Sequence, residues 1–199
     1  KMLGLQIPQI HDDIFKARGA LEHFMISNTI AEPGNVLSWL ESADETIEAI
    51  ADQCRRTQSH QKTLGLNITQ FDDLEEVLSD LHIKQKLWRA FRDWRMMTTS
   101  WLESPFSKLD VDEIEKQVHS FYKVALQAER QLPGNRVATE LKSLVLAFKL
   151  TLPVVSYVRT KSLKDRHWDQ IHETIGYKIR GVEGFTMKKL IELEIMQYA

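Results

Sequence analysis

The chain has 199 residues, 27% of them charged and 43% hydrophobic, the balance of a soluble globular protein of one or two domains. A formal charge of -2 gives no basic footprint for nucleic acid, and with only 5 Pro and 8 Gly there is little room for turn-rich β architecture. No apolar run approaches the ~20 residues that span a bilayer, the N-terminal apolar stretch stops at Pro8, too short for a secretory signal, and the single Cys54 can form no internal disulfide, which fits a reducing compartment.

Helical periodicity runs through the whole sequence, and no β-alternation or fixed-period repeat interrupts it. A first amphipathic helix is expected from about His11 to Ile30, with Ile14, Phe15, Leu21, Phe24 and Met25 as its apolar set. Glu32-Pro33-Gly34-Asn35 breaks it. A second helix from about Val36 to Lys62 carries the stripe Val36, Leu37, Leu40, Ile47, Ile50 and Cys54, and Gly65 is placed to cap its C-terminus. The third, from about Asp72 to Glu103, stacks Leu74, Val77, Leu81 and Trp88 on one side, while Phe91, Trp94 and Trp101 drift to a neighbouring side. Trp88 and Trp94 lie about 120° apart at 100° per residue, so this helix must touch more than one neighbour. A fourth helix begins with Asp110 as cap and Glu113 reaching back, and buries Val111, Ile114, Val118, Phe121, Tyr122 and Ala125. Pro133-Gly134-Asn135 is a turn, after which a fifth helix carries Val137, Leu141, Leu144, Val145, Phe148 and Leu152. Leu146 and Leu150 on its back point to burial on both sides. Pro153 ends or kinks that helix, because it lacks an N–H and crowds the preceding turn. A short helix from Val154 to Val158 follows, then another from about Ser162 to Ile175, and then a loop marked by Gly176, Gly181 and Gly184. A last helix runs on from about Phe185 towards Ala199, as in a piece of a longer molecule. The fold class expected is all-α: an elongated multi-helix bundle, an arched helical rod without regular repeat.

The common catalytic constellations are missing from this pattern. There is no P-loop and no Gly-x-Ser-x-Gly elbow. His172-Glu173-Thr174-Ile175-Gly176 starts like a zinc-protease helix, but Gly176 stands where the second His must be. The acidic pairs Asp72-Asp73 and Glu75-Glu76 fit a helix N-terminus, which favours negative charge, better than general acid–base work. Arg89, Arg92 and Arg95 interleave with the tryptophans, but Asp93 and Glu103 offset them. Core packing therefore outweighs a base-stacking platform. Leu163, His167 and Ile171 recur every fourth residue, which puts the imidazole on an apolar face and predicts a buried histidine bonded to a backbone carbonyl. Catalytic, cofactor-binding and metal-ligating residues are accordingly expected to number none.

Between Leu141 and Gly176 the order Leu152-Pro153, Val154, Val155, Val158, Arg159, Leu163 and Arg166-His167-Trp168 resembles the start of the linker of dynein heavy chains. The upstream helix with Leu87, Trp88, Phe91, Trp94 and Trp101 is similar to that family's tryptophan-bearing helix, so about 71–198 is covered by the resemblance. Thr160-Lys161 departs from the Asn-plus-small pattern common there, which leaves the subfamily open; the overall flavour is nearer axonemal than cytoplasmic dyneins. The resemblance implies that 1–70 ends the helical tail bundle and that 71–199 is the N-terminal part of the linker. That linker crosses an ATP-hydrolysing AAA+ ring, bends and straightens with the nucleotide cycle, and passes force between ring and tail of a microtubule motor. It implies no catalysis and no cofactor in this segment, with ATP and Mg held in the parent chain's ring. Partners would be the AAA+ ring of the same heavy chain and, through the tail, other dynein heavy, intermediate or light chains. Microtubules would be met only through distant parts, and nucleic acid and membrane not at all. Localisation would be the cytoskeleton of a ciliary axoneme, or else the cytoplasm. A helical scaffold or tethering bundle is the alternative, and an exposed apolar patch at Met96, Met97 and Leu102 would favour it. In the linker reading Trp168 is buried, and its truncation would cost about 3–5 kcal/mol.

Overall fold

The computed structural model describes residues 2–29, 31–160, 163–182 and 184–193. Among these the secondary structure is helical, with one isolated antiparallel bridge between Pro105 and Thr186. The helices are α1 (Met2–Leu21), α2 (Pro33–Thr63), α3 (Asp72–Glu103), α4 (Val111–Gln131), α5 (Arg136–Lys149), α6 (Leu152–Arg159), α7 (Asp165–Ile175) and α8 (Met187–Glu192), with short 3-10 turns at Phe24–Ser27 and Phe106–Lys108. The all-α bundle expected from periodicity is what the chain adopts. The expected helix edge at Ser162, the position of Lys161, and the final helix beyond residue 193 lie outside the described residues, whereas the first helix, expected to run to about Ile30, ends at Leu21 and gives way to the 3-10 turn at Phe24–Ser27.

Local chemistry sets most boundaries. Pro33 opens α2, where its missing N–H costs nothing. Gly65, at φ 64°, follows the C-terminus of α2 in the left-handed conformation that lets the chain turn away. Asp110 Oδ1 accepts the Glu113 N–H at 3.1 Å and starts α4 as expected, but Glu113 does not reach back, since its carboxylate instead accepts from Gln117 at 2.7 Å. Pro153 sits in the first turn of α6, so it begins a new helix after a two-residue turn rather than kinking the old one.

Three other departures have physical causes. Helix α1 starts at Met2, well before His11, and takes Pro8 into its interior; the ring removes one backbone bond, that to the carbonyl of residue 4, so the helix survives it. Along α1 and the turn after it, Ile10, Ile14, Ala17, Leu21 and Ile26 are buried, while Phe15 and Phe24 face solvent and Met25 is half-buried. Against the expectation of no membrane-length run, Arg136–Arg159 is long and apolar enough to cross a bilayer by length and composition. It is nevertheless two helices, and Val137, Ala138, Leu141, Val145, Leu152, Val155 and Val158 are buried within the protein.

The chain forms two compact units: 1–92 with 127–140, and 93–126 with 141–199. They follow compactness and cut through α3, α4 and α5, a different kind of division from the one at residue 70. In the first unit α1 packs on α2. His11 and Arg18 of α1 reach Asp73 and Glu76 of α3, each at 2.8 Å. One member of each acidic pair, Asp73 and Glu76, thus contacts α1, and the Arg18–Glu76 ion pair is exposed and adds little in water. Lys84 Nζ donates to the Leu21 carbonyl at 2.9 Å, satisfying the open end of α1. The most buried node is the Ile26 carbonyl, which accepts Trp88 Nε1–H at 2.9 Å and Asn135 Nδ2–H at 3.4 Å. Asn135 also caps α5 by accepting the Val137 and Ala138 N–H groups, and Gly134 at φ 82° makes the turn that delivers it.

Candidate functional site

The aromatic residues of α3 form two clusters, one in each unit. In the first, Trp88 is fully buried and meets Phe91 edge-on with centroids 5.7 Å apart. In the second, Trp94 is the hub. It meets Phe121 of α4 at 5.3 Å, Phe148 of α5 at 5.5 Å and Trp101 at 6.1 Å, all edge to face, the arrangement that aromatic quadrupoles favour. Trp101 is only half-buried and leans on Phe148. The width of the stripe on α3 is thereby accounted for: its two sides meet different helices. The opposite expectation for α5 fails, because Leu146 and Leu150 on its back are exposed, and so is Leu144 from the face expected to be buried. A second apolar row on a helix needs a second neighbour to be buried, and α5 has none there among the described residues.

The residues of the Leu152-to-Trp168 pattern are dispersed in environment. Leu152 is buried, Pro153 exposed, and Arg159 exposed but donating to the Leu109 carbonyl at 3.2 Å, which ties α6 to the segment before α4. Leu163, His167 and Trp168 are half-buried, Arg166 is exposed, and α7 has no buried residue. His167 is thus a correction: its Nδ1 accepts the backbone N–H of Lys164 at 3.1 Å and serves the start of α7, and among the described residues it has no carbonyl partner. Trp168 is another. Its ring is covered by the Arg180 guanidinium at 5.8 Å and flanked by His172 at 5.9 Å, and Arg180 is itself paired with Asp165. A cation over a half-exposed ring adds about 0.5–1 kcal/mol. Trp168→Ala should therefore destabilise the chain by about 1–2 kcal/mol instead of the 3–5 of a core tryptophan. A urea unfolding curve reads this directly, and a loss above about 3 kcal/mol would return Trp168 to a core.

Chemistry is sparse elsewhere. Among the described residues no three His, Cys, Asp or Glu side chains gather as metal ligands would. Gly176, where a zinc-protease helix needs histidine, closes α7 at φ 71° and could not be histidine without strain. Cys54 is buried, and burial followed by the negative charge of Asp73 raises its thiol above the ordinary value of 9.0. The thiolate is the reactive form, so at pH 8 a raised pKa leaves less of it. Iodoacetamide at that pH should label Cys54 far more slowly than free cysteine and catch up once the chain is unfolded in urea. Equal rates in the folded state would contradict this burial.

Fold and site together define an all-helical protein with an aliphatic core and two aromatic clusters built on α3. Residues 74–199 match the family model of dynein heavy chain, N-terminal region 2, and the chain belongs to that family. Its relatives include dynein axonemal heavy chain 6 of Homo sapiens, 27% identical over 197 residues, which is 98% of this chain and 5% of that protein. Dynein axonemal heavy chain 2 of Homo sapiens is 24% identical over 92% of the chain and 4% of its own length. The Dynein-1-beta heavy chain of the flagellar inner arm I1 complex of Chlamydomonas reinhardtii is 25% identical over 74% and 3%. The chain thus spans at most 5% of the length of these relatives.

Proposed function

We propose that this chain is a force-bearing segment of a dynein heavy chain, with 1–70 at the end of the tail and 71–199 opening the linker that works over the AAA+ ring. The observation that carries the reading is the family match over 74–199. The packing supports it. A segment passes force only if its helices do not slide, and interdigitated rings such as Trp94 between Phe121 and Phe148 resist sliding because close-packed interiors tolerate few voids. In this reading the segment holds no cofactor and performs no catalysis; ATP and Mg act in the ring of the parent chain. The axonemal names of the relatives favour a ciliary axoneme as its place, within a dynein complex. The scaffold alternative has less support, because of its three patch residues Met96 alone is exposed, while Met97 and Leu102 are half-buried.

The test is a full-length heavy chain of this family carrying Trp94→Ala. ATP turnover should persist while microtubule gliding slows severalfold, since hydrolysis and force transfer are uncoupled. Loss of both in proportion, or of neither, would count against a mechanical role.

A further inference from the structure

The turn after α1 brings three rings together on the surface of the first unit. His23 stands between Phe24 and Trp39, with ring centroids 4.8 and 5.0 Å away. Its Nδ1 accepts the Met25 N–H at 3.3 Å, and Trp39 Nε1–H donates to the Ala20 carbonyl at 3.3 Å, so hydrogen bonds hold two of the rings in place. Trp39 is nevertheless 40% exposed and Phe24 68%. With its N–H spent on α1, the indole offers a partner only its ring surface.

The occupant can be argued from charge. Aromatic faces are negative and attract cations, and the planar guanidinium of arginine stacks on them. Elsewhere the chain supplies that cation itself: Arg180 lies over Trp168 at 5.8 Å and Lys149 over Tyr122 at 5.4 Å. Among the described residues no cation covers Phe24 or Trp39, and the sequence holds no Lys or Arg between Arg18 and Arg55. Arg18 and Lys84, which share a cleft with His23, are committed to Glu76 and Asp80 at 2.8 and 2.6 Å. The surroundings of the rings are acidic instead. Glu22 precedes His23, and Glu32 lies two turns before Trp39 on the same side of α2. Both carboxylates are exposed, and neither forms an ion pair among the described residues. The negative end of the α1 dipole also finishes here, at the carbonyl that Trp39 meets. Exposed aromatic residues with a polar rim mark protein–protein contacts, in which arginine is enriched.

We propose that His23, Phe24 and Trp39 form a docking platform for an arginine of a separate protein, its guanidinium over the rings and its charge answered by Glu22 and Glu32. The partner presents a basic segment with an apolar residue beside the arginine, which covers Phe24. A small patch rimmed by carboxylates suits a contact that forms and releases better than a permanent seam within one chain, which is larger and more apolar. The inference stands apart from the force-bearing reading, and its test does not involve gliding.

The experiment uses the full-length heavy chain with a photoreactive phenylalanine analogue at position 24, which keeps an aromatic ring there. The probes are a leucine-rich helical peptide with arginine at every fourth position and a twin in which citrulline, the neutral isostere, replaces each arginine. On irradiation the arginine peptide should label position 24 about fivefold more than its twin, the preference expected for a cation over exposed rings. Trp39→Leu should bring the arginine peptide down to the level of the twin, and so should Glu22→Gln combined with Glu32→Gln, two exposed changes that leave the packing alone. Trp39→Phe keeps a ring face and should retain most of the labelling. Equal labelling by the two peptides would overturn the proposal, as would no labelling by either. An adduct to the heavy chain's own polypeptide in the absence of peptide would overturn it too, since the rings would then be covered from within.

Discussion

Replacing Trp88 by alanine is expected to lower the unfolding free energy of this chain by about 3–5 kcal/mol, the usual cost of truncating a buried large aromatic. The ring is 0% exposed, so its whole volume becomes a cavity between helices that cannot fully close. The indole also donates to the Ile26 carbonyl, which holds the turn after α1 against α3. Trp88→Phe separates the two contributions. It keeps most of the packing and removes the N–H, while Asn135 still donates to the same carbonyl, so the loss should fall to about 1–2 kcal/mol. Urea unfolding followed by circular dichroism measures both. An alanine variant within about 1 kcal/mol of the parent would mean that Trp88 is not buried as described.

Trp94→Ala should be as costly, again about 3–5 kcal/mol, and the reason is countable in ring contacts. Trp94 meets three aromatic rings edge-on, whereas Trp101, half-buried, meets two. Trp101→Ala should accordingly cost clearly less. A double-mutant cycle of Trp94 with Phe148 isolates the pair and should return a coupling of about 0.5–1.5 kcal/mol beyond simple area burial. Strict additivity of the two single losses would dismiss the edge contact. Family membership makes this variant informative twice, since it is also the one whose effect on gliding tests the mechanical role.

The positions of the elements are largely legible in the sequence. The bounds of α3 fall where Asp72 and Glu103 put them, and Pro33, Gly65, Asp110 and Pro153 mark the boundaries that their backbone chemistry requires. The stripe Val36, Leu37, Leu40, Ile47, Ile50 and Cys54 is buried throughout. These are local properties: a missing N–H, a left-handed φ or a 3.6-residue period acts within a few residues and can be read from them.

Which apolar faces meet a partner is not legible there, because that depends on residues far away along the chain. Phe15, Leu146 and Leu150 satisfy the period yet face water, and Trp168 sits under Arg180 instead of in a core. One tryptophan run on one helix serves two clusters, since Phe121 and Phe148 come from α4 and α5 to only part of it. The Ile26 carbonyl draws in Trp88 from 62 residues away and Asn135 from 109, a junction that no window of sequence contains. Periodicity decides that a helix has an apolar side; only the tertiary fold decides whether something covers it.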